Sequence, residues 1–232
     1  MDIAGSTALV TGASRGLGRH LARQLRDRGA TVYAGARNPA AVDLPGVTPV
    51  ALDVTDPASV AAAAAATSGV AILINNAGSS TGSSLLTGEL ADIRLELETH
   101  FFGTLAVTRA FAPQLAGHEQ SAVLNILSAL SWLSFPSVGA YCAAKSAEWS
   151  LTNALRQELA PQGTRVSALH VGYMDTDMAK GVDSPKSDPA DIARLAIDGI
   201  EAGDAEILAD EVSKQVLAGL SGGVAGLYPG LA

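Results

Sequence analysis

The sequence predicts an α/β fold: a doubly wound parallel sheet of about seven strands with helices on both faces, in a single domain over residues 1–232. Three observations predict it. Short apolar runs alternate with helix-period segments along almost the whole chain. The strand-like runs are continuously apolar, as strands covered on both faces should be. Hydrophobic residues make up 48% of the chain and charged residues only 16%, a balance that excludes disorder and supports one large core.

Residues 7–11 read as a buried strand ending at Gly12. Residues 17–28 follow with apolar positions 17, 21, 22 and 25, a helical spacing stopped by Gly29. Residues 31–36 form a second strand. Residues 47–54 form a third, with Pro49 pointing to the sheet edge. A helix is predicted over 57–66, with Asp56 as N-cap and Pro57 in the first turn. The fourth strand is 70–74, and a Gly/Ser/Thr-rich loop runs over 78–84. One long helix is predicted over 90–115, then a strand at 122–127, a helix at 141–159 and a strand at 166–171. The segment 172–187 reads as a mobile lid. A helix at 189–202 and a short strand at 206–208 follow, and the Gly-rich, apolar tail 219–232 reads as a surface for a partner subunit. The order is Rossmann-like.

The net charge of −8 makes the chain a poor nucleic-acid binder, and no polybasic run or long apolar segment points to a membrane. The N-terminus lacks a basic, signal-like start, so a cytoplasmic location is expected. The single cysteine, Cys142, excludes an intramolecular disulfide and reads as a packing residue.

Residues 11–18 read Thr-Gly-Ala-Ser-Arg-Gly-Leu-Gly. The loop follows the first strand and opens the first helix, where glycines let the backbone approach a pyrophosphate and free N–H groups meet it. An ordinary tight turn is the alternative. The second strand ends Gly35-Ala36-Arg37, with no acid for ribose hydroxyls. Arg37 there, and Arg15 inside the loop, suit a 2′-phosphate instead. Either arginine taken singly also fits a solvated surface charge.

Asn75-Asn76-Ala77-Gly78 follows the fourth strand. Tyr141 and Lys145 lie four residues apart, on one face of a helix. A phenol has a reference pKa near 10, and a neighbouring ammonium favours its ionised form. Ser128 ends the fifth strand, thirteen residues before Tyr141, where a hydroxyl can donate to a developing oxyanion. Ser131 and Ser134 fit the strand end less well.

These motifs, in this order, resemble the compact branch of the short-chain dehydrogenase/reductase family over about residues 5–210. The resemblance implies an NADP(H)-dependent enzyme moving hydride between the nicotinamide and a carbonyl or secondary alcohol. It implies Ser128, Tyr141 and Lys145 as the catalytic set. It implies cofactor contacts from Gly12, Ser14, Arg15, Gly16, Leu17, Gly18, Arg37, Asp53, Val54, Asn76, Ala77, Gly78, Tyr141, Lys145, Gly172 and Thr176. In it, Asp53 would bind the adenine amine, whereas Asn75 would stabilise the sheet. No metal is implied, and a homodimer or homotetramer is expected through the long-helix and catalytic-helix faces.

The chain departs from the family pattern at three points. His100 stands where the family has an Asn that holds a water linking the lysine to solvent; it serves a proton relay or simply packs the helix. Val171-Gly172 replaces a Pro-Gly pair, which should loosen that turn. Leu127 replaces a common serine. Trp132, Phe135 and Tyr173 are candidates for the substrate pocket, and Trp149 for the core or an interface. Specificity is expected from 79–87, 131–137 and the lid, which are mostly small and apolar and suit a modest apolar ketone, aldehyde or secondary alcohol. A non-catalytic NADP(H) sensor and an extended-branch epimerase or dehydratase are the competing readings.

Overall fold

In the computed structural model, which describes residues 1–231, seven strands form one parallel sheet in the order β3-β2-β1-β4-β5-β6-β7. The strands are β1 (Thr7–Thr11), β2 (Thr31–Ala36), β3 (Thr48–Ala51), β4 (Val70–Asn75), β5 (Ser121–Ile126), β6 (Thr164–His170) and β7 (Glu206–Leu208). The helices are α1 (Gly16–Asp27), α2 (Pro57–Ala66), α3 (Leu90–Leu97), α4 (Thr104–Leu115), α5 (Gly139–Leu159), α6 (Pro189–Ala202), α7 (Glu211–Gly219) and α8 (Gly223–Leu227).

Alternation within the strands builds two cores. Ala8, Val10, Ile72, Ile74 and Leu124 face Leu17, Leu21 and Leu25 of α1 and Ile192, Ile197 and Ile200 of α6. The intervening Leu9, Leu73 and Val123 face Val60 of α2, Val107, Phe111 and Leu115 of α4, and Leu151 and Leu155 of α5. Successive side chains of a strand point to opposite faces, so apolar runs fill both layers at once.

Several local expectations hold. Asp56 caps α2 by accepting from Ala58 N at 2.9 Å, with Pro57 in the first turn. Pro49 lies in the edge strand β3, paired only with β2. That strand is shorter than the predicted 47–54, because pairing with β2 ends at Ala36↔Ala51.

One expectation is corrected, and a stretch given no element by the sequence takes shape. The predicted helix 90–115 is not continuous: a π-turn over Glu98–Gly103 separates α3 from α4. Gly103 passes so close to Val54 that a Cβ there would stand 2.9 Å from Val54 Cγ2. The region after β7 is largely helical, because Asp210 caps α7 through Ser213 N at 2.8 Å and the chain then turns into α8. Its final residue, 232, lies outside the described residues.

Candidate active site

The sheet order reverses between β1 and β4, opening a crevice at their carboxyl ends, where open α/β sheets bind ligands. The loop after β1 fills one side of it. Gly12 adopts φ +65°, and a Cβ there would lie 2.9 Å from Ala77 Cα. A Cβ on Gly18 would overlap the Gly12 carbonyl oxygen. The loop therefore needs both glycines. Helix α1 starts with no side-chain cap and no acidic residue in its first turn, so its first N–H groups and positive end remain for an anion. These features fit a dinucleotide pyrophosphate.

Thr11, which the sequence reading passed over, ties this loop to the loop after β4. Its Oγ1 accepts from Asn76 N and Ala77 N, each at 2.9 Å, while Asn76 Nδ2 donates to Thr11 O at 2.8 Å. Asn75 points into the sheet, donating to Asn125 Oδ1 at 2.9 Å and Thr108 Oγ1 at 3.1 Å, as expected of a sheet-stabilising residue. Asp53 Oδ1 accepts from Thr55 N and Thr55 Oγ1. The β2 end presents buried Ala36 and exposed Arg37. Arg15 is exposed and pairs with Asp177 of the lid at 3.2 Å. Thr176 stands over Gly16, its Cγ2 3.6 Å from where a Cβ would be.

At the Val171-Gly172 turn, Val171 O accepts from Ala129 N at 3.1 Å, and Gly172 N donates to Oδ2 of Asp210, the α7 cap, at 2.6 Å.

Tyr141 and Lys145 share one face of α5, with Lys145 Nζ 5.8 Å from the centre of the phenol ring. Ser128 follows β5 and caps a short turn, its Oγ accepting from Leu130 N at 3.1 Å, while Ser131 Oγ accepts from Ser128 N at 3.3 Å. The Tyr141 phenol lies above its ordinary value. Burial pushes it up, and the Glu148 carboxylate adds to that, outweighing the Lys145 charge and the Ser128 hydroxyl. Lys145 acts in the expected, lowering direction. Lys145 is itself 5% exposed. Burial alone would lower its pKa, but Glu148 and Tyr141 raise it above the ordinary value, so it stays an ammonium. It donates to Ile126 O and to Glu148 Oε2, both at 2.7 Å.

His100 lies in the π-turn, edge-on to Tyr141 with ring centres 5.3 Å apart. It packs beneath Gly78, where a Cβ would lie 2.9 Å from its Cε1. Its Nε2 is 3.0 Å from Ser79 O and 3.4 Å from Glu96 Oε2. Neither Glu96 nor Glu148 was singled out from the sequence. Their positions, four residues before His100 and three after Lys145, were the available signal.

Trp132 is buried and stacks on His170 at 3.8 Å, so it supports the site rather than opening onto it. His170 Nδ1 lies 3.3 Å from Ser128 O and Nε2 2.8 Å from Glu206 Oε2, holding the Ser128 backbone from behind. Phe135 and Tyr173 are exposed. Cys142 is buried, as expected of a packing residue. No helix among the described residues is long and apolar enough to cross a membrane.

A family model described as short chain dehydrogenase matches residues 6–187. The 3-oxoacyl-(acyl-carrier-protein) reductase FabG of Vibrio cholerae serotype O1 is 30% identical over 192 residues, 78% of this chain and 79% of that protein. A short chain dehydrogenase from Burkholderia cenocepacia J2315, crystallised in complex with NADP, superposes with a TM-score of 0.94 at 35% identity, covering 100% of this chain and 99% of the other. A short chain dehydrogenase/reductase from Burkholderia phymatum, in complex with NAD, shares the fold with a TM-score of 0.85 at 24% identity, over 95% and 93% of the two chains. A glycine loop at the switch point, a serine–tyrosine–lysine set after β5 and on α5, and these matches agree: the chain belongs to the short-chain dehydrogenase/reductase family of oxidoreductases.

Proposed function

We propose that the chain, working as one domain over residues 1–232, is an NADP(H)-dependent reductase or dehydrogenase acting on a carbonyl or secondary alcohol, with Tyr141 as general acid/base. The observation that carries this reading is the placement of Ser128, Tyr141 and Lys145 together at the carboxyl end of the sheet, with Lys145 buried and charged. The dinucleotide, when bound, supplies or accepts the hydride.

The protein's own groups do the rest. The Ser128 hydroxyl and the Tyr141 phenol donate to the substrate oxygen as negative charge develops there. Tyr141 then delivers its proton in reduction, or removes one in oxidation. Lys145, fixed by Ile126 O and Glu148, holds positive charge beside the phenol. His100 joins the proton path behind Lys145. The pyrophosphate would sit against Gly12, Ser14, Gly16, Leu17 and Gly18. Asp53 and Val54 would take the adenine, Asn76, Ala77 and Gly78 the ribose, and Gly172 and Thr176 the nicotinamide end.

Arg37 and Arg15 favour a 2′-phosphate, because the β2 end offers no carboxylate to a ribose diol. A cytoplasmic homodimer or homotetramer is the assembly we infer, joined through the α4 and α5 faces, with Phe102 of the π-turn that precedes α4 51% exposed.

Initial rates over a panel of apolar ketones and aldehydes, with NADPH and NADH in parallel, test the reading. Turnover with NADPH well above NADH is expected, and equal or greater turnover with NADH would overturn the cofactor choice. Tyr141→Phe should lower kcat by about 10²–10⁴-fold with dinucleotide affinity kept. A variant with undiminished turnover would remove Tyr141 from the chemistry.

A further inference from the structure

Behind the Tyr141–Lys145 pair lies a second buried carboxylate, Glu148, only 2% exposed. Both its oxygens are engaged: Oε2 by Lys145 Nζ at 2.7 Å and Oε1 by Thr104 Oγ1 at 3.0 Å. His100 Nδ1, which has no hydrogen-bond partner among the described residues, stands 3.8 Å from Oε2. Across the imidazole, Nε2 meets Ser79 O, Ser79 N and Glu96 Oε2. Lys145, Glu148, His100 and Glu96 thus form one buried file of side chains, running from α5 through the π-turn to α3. An apolar residue at 148 would leave the Lys145 ammonium buried and unpaired, so the carboxylate's place here is tied to the charge on the lysine.

We propose that Glu148 is a positioning residue for the reaction: it clamps the Lys145 ammonium against the Ile126 carbonyl and offsets that ammonium's charge as Tyr141 experiences it. The proposal rests on the reading of Tyr141 and Lys145 as the reacting pair. Four titratable groups face the phenol: Lys145 and Glu148 from α5, Glu96 from α3 and His100 from the π-turn. The Ser128 hydroxyl completes its surroundings. Lys145 favours the phenolate, whereas Glu148 and Glu96 oppose it. Glu148 touches Lys145 directly, so it governs how much of the lysine's influence reaches the phenol. The pH at which the site changes between its proton-donating and proton-accepting forms is therefore set partly by a residue that touches neither substrate nor phenol oxygen.

The test reads the phenol itself. Phenolate absorbance of the full chain is titrated with pH for the wild-type sequence and for Glu148→Gln. Each is paired with the same chain carrying Tyr141→Phe, so that subtraction isolates Tyr141 from the other tyrosines. Circular dichroism alongside marks the folded range. With Lys145 still held as an ammonium by Ile126 O, the facing phenol and Glu96, Glu148→Gln should lower the Tyr141 midpoint by about 1 pH unit. A folded Glu148→Gln chain whose midpoint is unchanged or higher would overturn the proposal, leaving Glu148 a structural ion-pair partner. Glu148→Leu, neutral and of similar size, reads the same quantity if the amide variant does not fold. If neither neutral variant folds, Glu148 is a folding residue and the proposal fails. The titration needs no substrate. Inactivity of the wild-type chain on every carbonyl would sink the proposed function without touching this result.

Discussion

Glu96 has 0% exposure and yet is held ionised. Burial alone would push its carboxyl up, but His100, the Thr81 N–H and the Ser79 hydroxyl together hold it at about 2, below its ordinary 4.5. A native value depressed in this way stabilises the fold above the unfolded value, and that stabilisation is lost as pH falls through the native one. Melting temperatures should therefore drop between about pH 4.5 and about pH 2, and Glu96→Gln should lack that part of the slope. If the Glu96→Gln variant kept the full acid slope, other carboxylates would carry it. At this scale the sequence was legible for the placement of a compact motif: Ser128 follows β5, and Tyr141 and Lys145 share one face of α5, where their spacing put them. It was least legible for groups that act through burial. Glu148 and Glu96 read as ordinary helix charges until α3 and α5 pack and take them out of water. His170 looked like a strand residue, and only the return of the chain at β7 brings Glu206 to it.

The first βα unit shows why an element can tolerate no addition. With Gly18 against the Gly12 carbonyl and Gly12 against Ala77, any side chain must push the α1 terminus away from β1. Gly18→Ala should cost about 1–3 kcal/mol of stability and weaken dinucleotide binding by a larger factor than Arg37→Ala weakens NADH binding. Chemical denaturation and cofactor titration check this, and a stable Gly18→Ala variant that still binds tightly would show that the loop relaxes. The alternation of apolar runs and helical periods made most elements readable to within a residue or two. The π-turn was not, because hydrophobic spacing across 90–115 continues through it, and only the packing of Gly103 on Val54 and of His100 beneath Gly78 shows why the turn is wider. Helix α7 was missed although the Asp210 cap marks its start.

Across the whole molecule, the tail closes back on the site. The hydroxyl of Tyr228 accepts from Ser134 N at 2.8 Å, joining the end of the chain to the loop between β5 and α5. A lost hydrogen bond of this kind is worth about 0.5–1.5 kcal/mol. Tyr228→Phe should therefore raise KM for the carbonyl substrate several-fold, while leaving dinucleotide affinity and the Tyr141 pH profile alone. An unchanged KM would mean that the tie does not shape the substrate loop. Within the lid, Arg15 of the glycine loop pairs with Asp177, and the Met174↔Ser187 bridge joins the two ends of the segment to each other. The two rims of the sheet have a consequence of another kind. One rim is a four-residue strand containing Pro49, which offers no amide there, and the other is a three-residue strand. Neither gives a second molecule enough unpaired backbone to template on, so the sheet resists open-ended, fibril-like growth even where the chain is concentrated or held for long periods.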